Sequence, residues 1–590
     1  MRVVSKDGDN IISWSIILIP LFWILGVKFV FFQVSALIIL LLNIKNKSII
    51  NRFTSNRENK LFVMLLMGFI LSNIIAIIIN PMGFKASEFI STFYHLSYWG
   101  SGIIITIYLV NSDDETNSFK AIKNAIYILA IFQVIIFIIS IMQWNIGDVW
   151  KERHGLIYNL IPFMSENTFL SEVTSINLSF ADWVNGSAKY RFNGFYIYPA
   201  TAGITTFYIL CYLGGFNKLR VKKYNDIIKY FTIITLCICI YLTRSRMVYL
   251  SIIVGFLFTS ILLILSKKNF KYIIYTIIGL VFISIILIFS FDIIDKTILA
   301  RPESSIDRFS TYIYSIKTAL KYPFFGVGDK FAVEGVYLLI GSHSTYTNIL
   351  VRSGFIGLLF FLSSLIVVFV KILNNKKKIG CIKSRNLWFV TSLLFFTTCI
   401  WMATEEIDWP SITIFMFFIN IAIIFSFDKI ATNFNELAYK NIKICFPTSS
   451  GGHLTHLLQI KDVWENKERF WVTFKKIDAE SALRKEKVYW CYYPTNRNVK
   501  NLLKNTFLAI KIIFKERPDL IISTGAAPAI PFFYIGKIFG AKLIYIEVYD
   551  RIDLPTLSGK IIYPICDEFI IQWEEQRKYY KDSKLLGGLF

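Results

Sequence analysis

Hydrophobic positions fall into two regimes along the chain. Up to about residue 430 they gather in long runs, near 11–27, 29–43, 61–79, 94–110, 123–143, 199–215, 228–243, 247–265, 272–291, 346–373, 387–404 and 410–427. Each is long enough, or nearly so, to cross a hydrocarbon core of about 30 Å, which predicts about twelve spans, the first two short. From Asn441 onward the runs shorten to IKICFP, RFWVTF, KVYWCYY, DLIISTG and KLIYIEV, alternating with helix-like segments, notably 497–514 and 527–539. Alternating strands and helices imply a parallel sheet. The expected organisation is a polytopic α-helical membrane domain over 1–430, a short linker at 431–440 and a Rossmann-like α/β domain over 441–590.

Composition agrees with the first regime. With 55% hydrophobic residues, 17% charged ones and a mean hydropathy of +0.54, the bulk of the 590 residues cannot form a water-soluble globule. The net charge of +23 does not point to nucleic acid, because Lys and Arg cluster beside apolar runs as topology signals do. Loops with Lys45, Lys47, Arg52, Arg57 and Lys60, with Lys218, Arg220, Lys222 and Lys223, with Lys267, Lys268 and Lys271, and with Lys376 to Lys378 fall on one side if every run crosses once. That side is expected to be cytoplasmic, with both termini inside. The other face then receives two long loops, about 144–198 and 292–345, and the WMATEEIDWP turn. No small-residue cleavage site follows the first run, so it reads as a retained helix. The eight cysteines are scattered without a CxxC pair, which indicates neither a zinc site nor a disulfide framework.

Candidate chemistry in the membrane half lies on the outer face. The stretch from Arg308 to Gly357 is polar and turn-rich, with Pro323, Gly326, Gly328 and His343. YRFNGFYIYP adds Arg191, and TRSRM adds Arg244 and Arg246 at a tight turn. Arginine beside a span is costly and normally has a partner. Guanidinium forks match phosphate oxygens, so several on one face suit a lipid diphosphate; each can also anchor a helix end or pair with Glu303, Glu405, Glu406 or Asp408. His343 has the residue type for a proton acceptor or a hydrogen-bond donor, or can help cap the following helix.

TRSR with Ser245 and Arg246, an arginine-led helix ending in YPFFGVG, then His343, Tyr346, Gly354 and Gly357, resemble the O-antigen polymerase and ligase superfamily. Arg191, Gly194 and Pro199 resemble that family's other loop motif, and the likeness covers about 1–430. It implies a metal-independent glycosyltransferase of GT-C-like architecture, without a cofactor, using undecaprenyl-diphosphate-linked oligosaccharides at the outer face of the bacterial cytoplasmic membrane. Arg191, Arg246, Arg308 and Arg244 would hold the diphosphate, and His343 would orient or deprotonate the acceptor hydroxyl, giving inverting transfer. The family often has His-Asn where this chain has His343-Ser344.

In the tail, Ser449, Ser450, Gly451, Gly452 and His453 form a strand-to-helix turn that could cradle a diphosphate or simply be a sharp turn, and Gly525 opens a second such turn. These turns, IEVYDR with Glu547 and Arg551, LSGKIIYPICDEFIIQWEE and the terminal LLGGLF resemble the membrane-recruiting subunit of the two-part UDP-N-acetylglucosamine transferase of asparagine-linked glycosylation and its bacterial capsule and exopolysaccharide counterparts. Val548 stands where that family usually has Ser. The resemblance implies the acceptor-side half of a GT-B enzyme, with the UDP-sugar half on a separate catalytic subunit, its partner. The combined expectation is surface-polysaccharide assembly. Lipid-linked repeat units are polymerised outside, or ligated, and such units are built inside with a partner; the alternative is a lipid-linked oligosaccharide transporter with a docking tail.

Overall fold

The computed structural model describes residues 12–27, 30–43, 56–83, 86–111, 115–146, 153–160, 174–184, 187–215, 223–264, 302–408, 412–440, 442–495, 498–539 and 541–587. The chain divides into two compact units, residues 1–263 with 276–433 and residues 264–275 with 434–590.

The first unit is helical: α1 (Ile19–Leu25), α2 (Phe31–Asn43), α3 (Arg57–Ile79), α4 (Ala86–Asn111), α5 (Glu115–Asn145), α6 (Leu156–Leu160), a hairpin of β1 (Ser179–Val184) and β2 (Ser187–Phe192), α7 (Pro199–Gly215), α8 (Lys223–Leu242), α9 (Arg246–Ile264), α10 (Pro302–Lys321), α11 (Thr345–Lys376), α12 (Ile382–Trp401), α13 (Ile412–Phe425) and α14 (Phe427–Lys440). Among the described residues four helices, over 57–79, 118–145, 246–263 and 345–376, are long and apolar enough to cross a membrane. The pair α13 and α14, bent by 59°, makes a fifth if it is one broken span. Helices also occupy the expected spans near 94–110, 199–215, 387–404 and 410–427. The expected ninth span, 272–291, lies outside the described residues. The protein is a membrane protein; of the expected linker, residues 431–440 belong to helix α14.

Three pairs of polar side chains inside the helical unit bond one another between helices. Tyr208 bonds Thr398 at 2.7 Å, Thr205 bonds Thr413 at 2.8 Å and the Tyr212 hydroxyl donates to Asn420 at 3.1 Å, tying α7 to α12 and α13. Helix α11 breaks at Gly354 (φ 65°, ψ −163°), and the Pro323–Gly328 turn fills the break. Val327 and Gly328 N–H groups donate to the Val351 and Arg352 carbonyls at 2.8 and 3.0 Å, and the Phe355 N–H donates to the Pro323 carbonyl at 2.8 Å. YPFFGVG thereby satisfies backbone groups that the break exposes.

The second unit holds β3 (Lys443–Pro447), α15 (Gly452–Gln459), α16 (Lys461–Trp464), β4 (Glu468–Phe474), α17 (Ile477–Ala482), β5 (Val488–Cys491), α18 (Val499–Glu516), β6 (Leu520–Ser523), α19 (Ala529–Ile538), β7 (Lys542–Ile546), α20 (Leu557–Ile562), β8 (Glu568–Ile571) and β9 (Lys584–Leu585). The strands run parallel in the order β5-β4-β3-β6-β7-β8-β9. One hydrophobic layer centres on Ile513, Phe532 and Leu543, the other on Phe446, Leu457 and Trp471, so the sheet is covered on both faces. The order reverses between β3 and β6, which makes their carboxyl ends the switch point where open α/β sheets bind ligands.

Candidate functional site

In the helical unit the sequence-predicted residues meet around the Glu405–Glu406 corner that follows α12. Arg191, on β2, donates from Nε to the Thr243 carbonyl at 2.9 Å, covering a free carbonyl at the end of α8. The same turn carries Arg244, in a left-handed conformation (φ 48°), and Arg246 as the first residue of α9. Arg191 is within electrostatic reach of Glu405, Arg244 and Arg308, and Arg246 is within reach of Arg308. Arg308, on α10, touches the Thr404 carbonyl at 3.4 Å and Glu405 Oε1 at 3.5 Å. The guanidinium groups thus converge, and for Arg191 and Arg308 convergence coexists with an anchoring contact.

His343 occupies the left-handed region at φ 62°. Its N–H donates to Glu406 Oε1 at 3.0 Å and its carbonyl accepts from the Tyr312 hydroxyl at 2.9 Å, while no described residue hydrogen-bonds its ring. Glu406 Oε2 takes Lys330 Nζ at 2.5 Å and Asn348 Nδ2 at 3.2 Å. Burial, reinforced by Arg308, pushes the His343 imidazole down to about 4 against the pull of Glu406. It is therefore neutral at physiological pH, below the near-neutral value expected of an exposed histidine. Burial also raises the Glu405 carboxyl, with Arg308 opposing. Ser344, where the resembled family often has Asn, caps α11 by accepting from Thr347 N–H at 3.4 Å.

Sequence reasoning missed Lys330, Tyr312 and Asn348, and missed a buried network behind them. Arg352 bonds Asp329 at 2.8 and 3.1 Å and approaches Asp408 at 4.0 Å, while His95 reaches the Asp408 carbonyl at 3.0 Å. Burial works against the Asp408 charge, but His95 and Arg352 hold its carboxyl well below the usual range. The available signal was an arginine inside the apolar run 346–373.

In the second unit, the expected phosphate loop lies at the switch point. Gly451 (φ 80°) precedes α15, but its N–H donates to Asp478 Oδ2 at 2.7 Å, so a carboxylate already sits on that amide. His453 Nδ1 donates to the Thr524 carbonyl at 3.0 Å and the Thr524 hydroxyl donates to the His453 carbonyl at 2.9 Å, clamping the β3 loop to the β6 loop. Burial lowers the His453 pKa, and the Thr524 bond fixes the proton on Nδ1, leaving Nε2 as an acceptor. Gly525 (φ 121°) is required there: a Cβ would meet the Tyr545 hydroxyl at 2.6 Å and His453 Cε1 at 3.2 Å. Ser449 and Ser450 are half-buried in the same loop. Glu547 is 0% exposed and accepts from the Tyr580 and Thr556 hydroxyls at 2.7 and 2.8 Å, so it organises the 556–559 turn from beneath. Burial raises its pKa despite those donors. Arg551 is exposed on the following loop.

Comparisons with known proteins divide the chain in the same way. Residues 231–362, which include Arg244, Arg246, Arg308 and His343, match the family model described as O-antigen ligase. Residues 446–589 match the model for oligosaccharide biosynthesis protein Alg14 like. Among individual relatives, the human UDP-N-acetylglucosamine transferase subunit ALG14 is 25% identical, the match covering 25% of this chain and 84% of the relative. The Candida albicans subunit of the same name is 37% identical over 14% of this chain and 40% of its own length. The crystal structure of Acinetobacter baumannii MurG matches at a TM-score of 0.20 and 13% identity, over 22% of this chain and 41% of that one, a likeness too slight to build on. The chain therefore joins an O-antigen-ligase-like segment and an Alg14-like domain in one polypeptide.

Proposed function

We propose that the helical unit transfers glycans from a lipid diphosphate and that the C-terminal unit recruits a separate UDP-sugar glycosyltransferase and helps bind its lipid-linked acceptor. The observation that carries the first half is the convergence of Arg191, Arg244 and Arg246 on Arg308, the arginine that acts on His343. Facing them is Glu405, since Glu406 is held by Lys330. Such an excess of fixed positive charge suits a leaving diphosphate.

In the reaction, an acceptor sugar hydroxyl attacks the anomeric carbon as the bond from that carbon to the diphosphate oxygen breaks. The lipid diphosphate leaves as an anion held by the guanidinium groups, and the hydroxyl proton passes to the His343 ring. Burial and Arg308 make His343 a weak base, at about 4. A bound diphosphate offsets the Arg308 charge and raises the imidazole toward the range useful for catalysis. Displacement from the opposite face inverts the anomeric centre. The charge bias of the loops supports an outer location for this site and a cytoplasmic one for the C-terminal unit.

Polymerisation of repeat units is the first reading. Ligation to a different acceptor is the second, favoured by the description of the family that residues 231–362 match. The full-length chain in proteoliposomes, supplied with an oligosaccharide on undecaprenyl diphosphate, decides between them. A ladder of longer lipid-linked glycans supports polymerisation, transfer only to an added second acceptor supports ligation, and neither product refutes both.

For the C-terminal unit, the Alg14 likeness and the loops at the β3–β6 switch point support acceptor binding beside a docked partner. The chain incubated with UDP-N-acetylglucosamine and a lipid diphosphate should transfer no sugar until the partner subunit is added. Transfer without it would overturn this half.

A further inference from the structure

Helix α10 has two unlike faces. Toward the protein, Thr311, Ser315, Thr318 and Ala319 are buried, and Ser315 Oγ accepts the Gly341 N–H at 3.1 Å. On the other side Phe309, Ile313, Ile316 and Leu320 recur at i, i+4, i+7 and i+11 and are all exposed, Phe309 at 65% and Leu320 at 70%. Lys317 and Lys321 are exposed next to this line. With Asp307, Arg308, Lys317 and Lys321 in its length, α10 is too polar to be a span.

The apolar line does not end with the helix. Phe324, 69% exposed, prolongs it into the turn, and there it reaches α11, where the Ile356 N–H donates to the Phe324 carbonyl at 3.3 Å. From that point Phe355, Leu359, Leu362, Ile366 and Val370 form a second exposed line with the same spacing, along a helix long and apolar enough to cross the bilayer. The exposed apolar line of a spanning helix faces acyl chains. A line of the same chemistry joined to it end to end faces the same medium.

We propose that α10 lies in the plane of the membrane, in the boundary between headgroups and acyl chains at the end where α11 begins, with Phe309, Ile313, Ile316, Leu320 and Phe324 immersed in lipid. Lys317 and Lys321 then reach headgroup phosphates with their stems along the apolar surface. The consequence for the site is depth: Arg308 and Tyr312, on the flank of the same helix, stand at headgroup level, where the phosphates of any membrane lipid are. This inference rests on α11 being a spanning helix and not on the glycosyl-transfer reading.

Photo-crosslinking tests it with the full-length chain in liposomes of phosphatidylethanolamine and phosphatidylglycerol. Benzoylphenylalanine replaces Phe309, Ile316 and Leu320 one at a time, exposed positions where the larger ring is tolerated, and the half-buried Tyr314 serves for comparison. The expected result is phospholipid-mass adducts at 309, 316 and 320, about fivefold or more above position 314, as one lipid-facing stripe requires. Adducts to another segment of the chain would show the stripe covered by protein, and absence of any adduct would show it facing water; either overturns the proposal.

Discussion

The main-chain N–H of His343 donates to Oε1 of Glu406 at 3.0 Å, while the other oxygen of that carboxylate holds Lys330 at 2.5 Å. One side chain therefore fixes the left-handed backbone of His343 and neutralises the nearest lysine. Removing it frees a strained conformation and leaves Lys330 without this partner. Glu406→Ala should lower the rate of glycan transfer by about 10- to 100-fold, as expected for loss of a group that positions a catalytic one. Glu406→Gln keeps the acceptor for the His343 N–H and should retain most of the KM effect while losing part of kcat. Equal, near-normal kinetics in both variants would separate Glu406 from the site.

His343 gives the pH dependence its sign. Its folded-state pKa of about 4 lies below the ordinary 6.5, so the unfolded chain binds more protons between those values. Its contribution to stability is full above about pH 6.5 and is lost as pH falls toward about 4. Thermal unfolding of the protein and of His343→Gln over pH 4 to 7 should converge on the acid side. In turnover, kcat/KM reports the free site and kcat the occupied one. The acid limb should therefore lie near pH 4 in kcat/KM and at higher pH in kcat, where bound diphosphate offsets Arg308. Coincident limbs would contradict that coupling.

Gly354 is where α11 and the Pro323–Gly328 turn share backbone space. At φ 65° its missing Cβ would collide with the Phe324 carbonyl. Gly354→Ala should destabilise the helical unit by about 2–4 kcal/mol, combining a left-handed penalty of about 1 kcal/mol with overpacking. The loss of melting temperature in lipid nanodiscs checks it, and an unchanged value would mean that the break is not the native state.

Glu516 is the corresponding test in the sheet unit. Lys443 and Lys487 bind it at 2.7 and 2.8 Å, and Tyr489 donates to it, tying α18 to β3 and β5. Burial opposes its charge, but these partners hold its carboxyl down at about 2. The depressed value means stability present above about pH 4.5 and lost as pH falls toward about 2. Glu516→Gln should weaken the unit by about 1–3 kcal/mol at neutral pH. Hydrogen exchange at β3 and β6 reads it, and the difference from the unaltered protein should shrink on acidification.

Much of this arrangement is legible in the residues themselves. KICFP, RFWVTF, VYWC, LIIS and KLIYI announce five strands because each is a short apolar run closed by turn residues, and the helices between them follow. EFII escapes notice because Cys566 and Asp567 join it without a break to the apolar IIYPI, and LLGGLF hides the two-residue β9. The arginines declare themselves by cost, but Arg352 is concealed within an apolar run, and its partners Asp329 and Asp408 are remote in sequence. The stripe on α10 is visible by spacing, yet a search for continuous runs passes over it because Thr311, Tyr312 and Ser315 interrupt. Asp478 on the Gly451 amide has no sequence signature, since the β4 loop meets the β3 loop only through the parallel register.

If the guanidinium groups that converge on Arg308 hold a departing lipid diphosphate, Arg308→Ala removes the one that also acts on His343. The measurement is the rate of release of undecaprenyl diphosphate, coupled to growth or transfer of its glycan, by equal amounts of folded protein in proteoliposomes. Loss of one such charge from a site of developing negative charge should slow release by about 100- to 1,000-fold, with a smaller change in KM. Release at the unaltered rate in Arg308→Ala would show that the guanidinium groups do not hold the departing diphosphate.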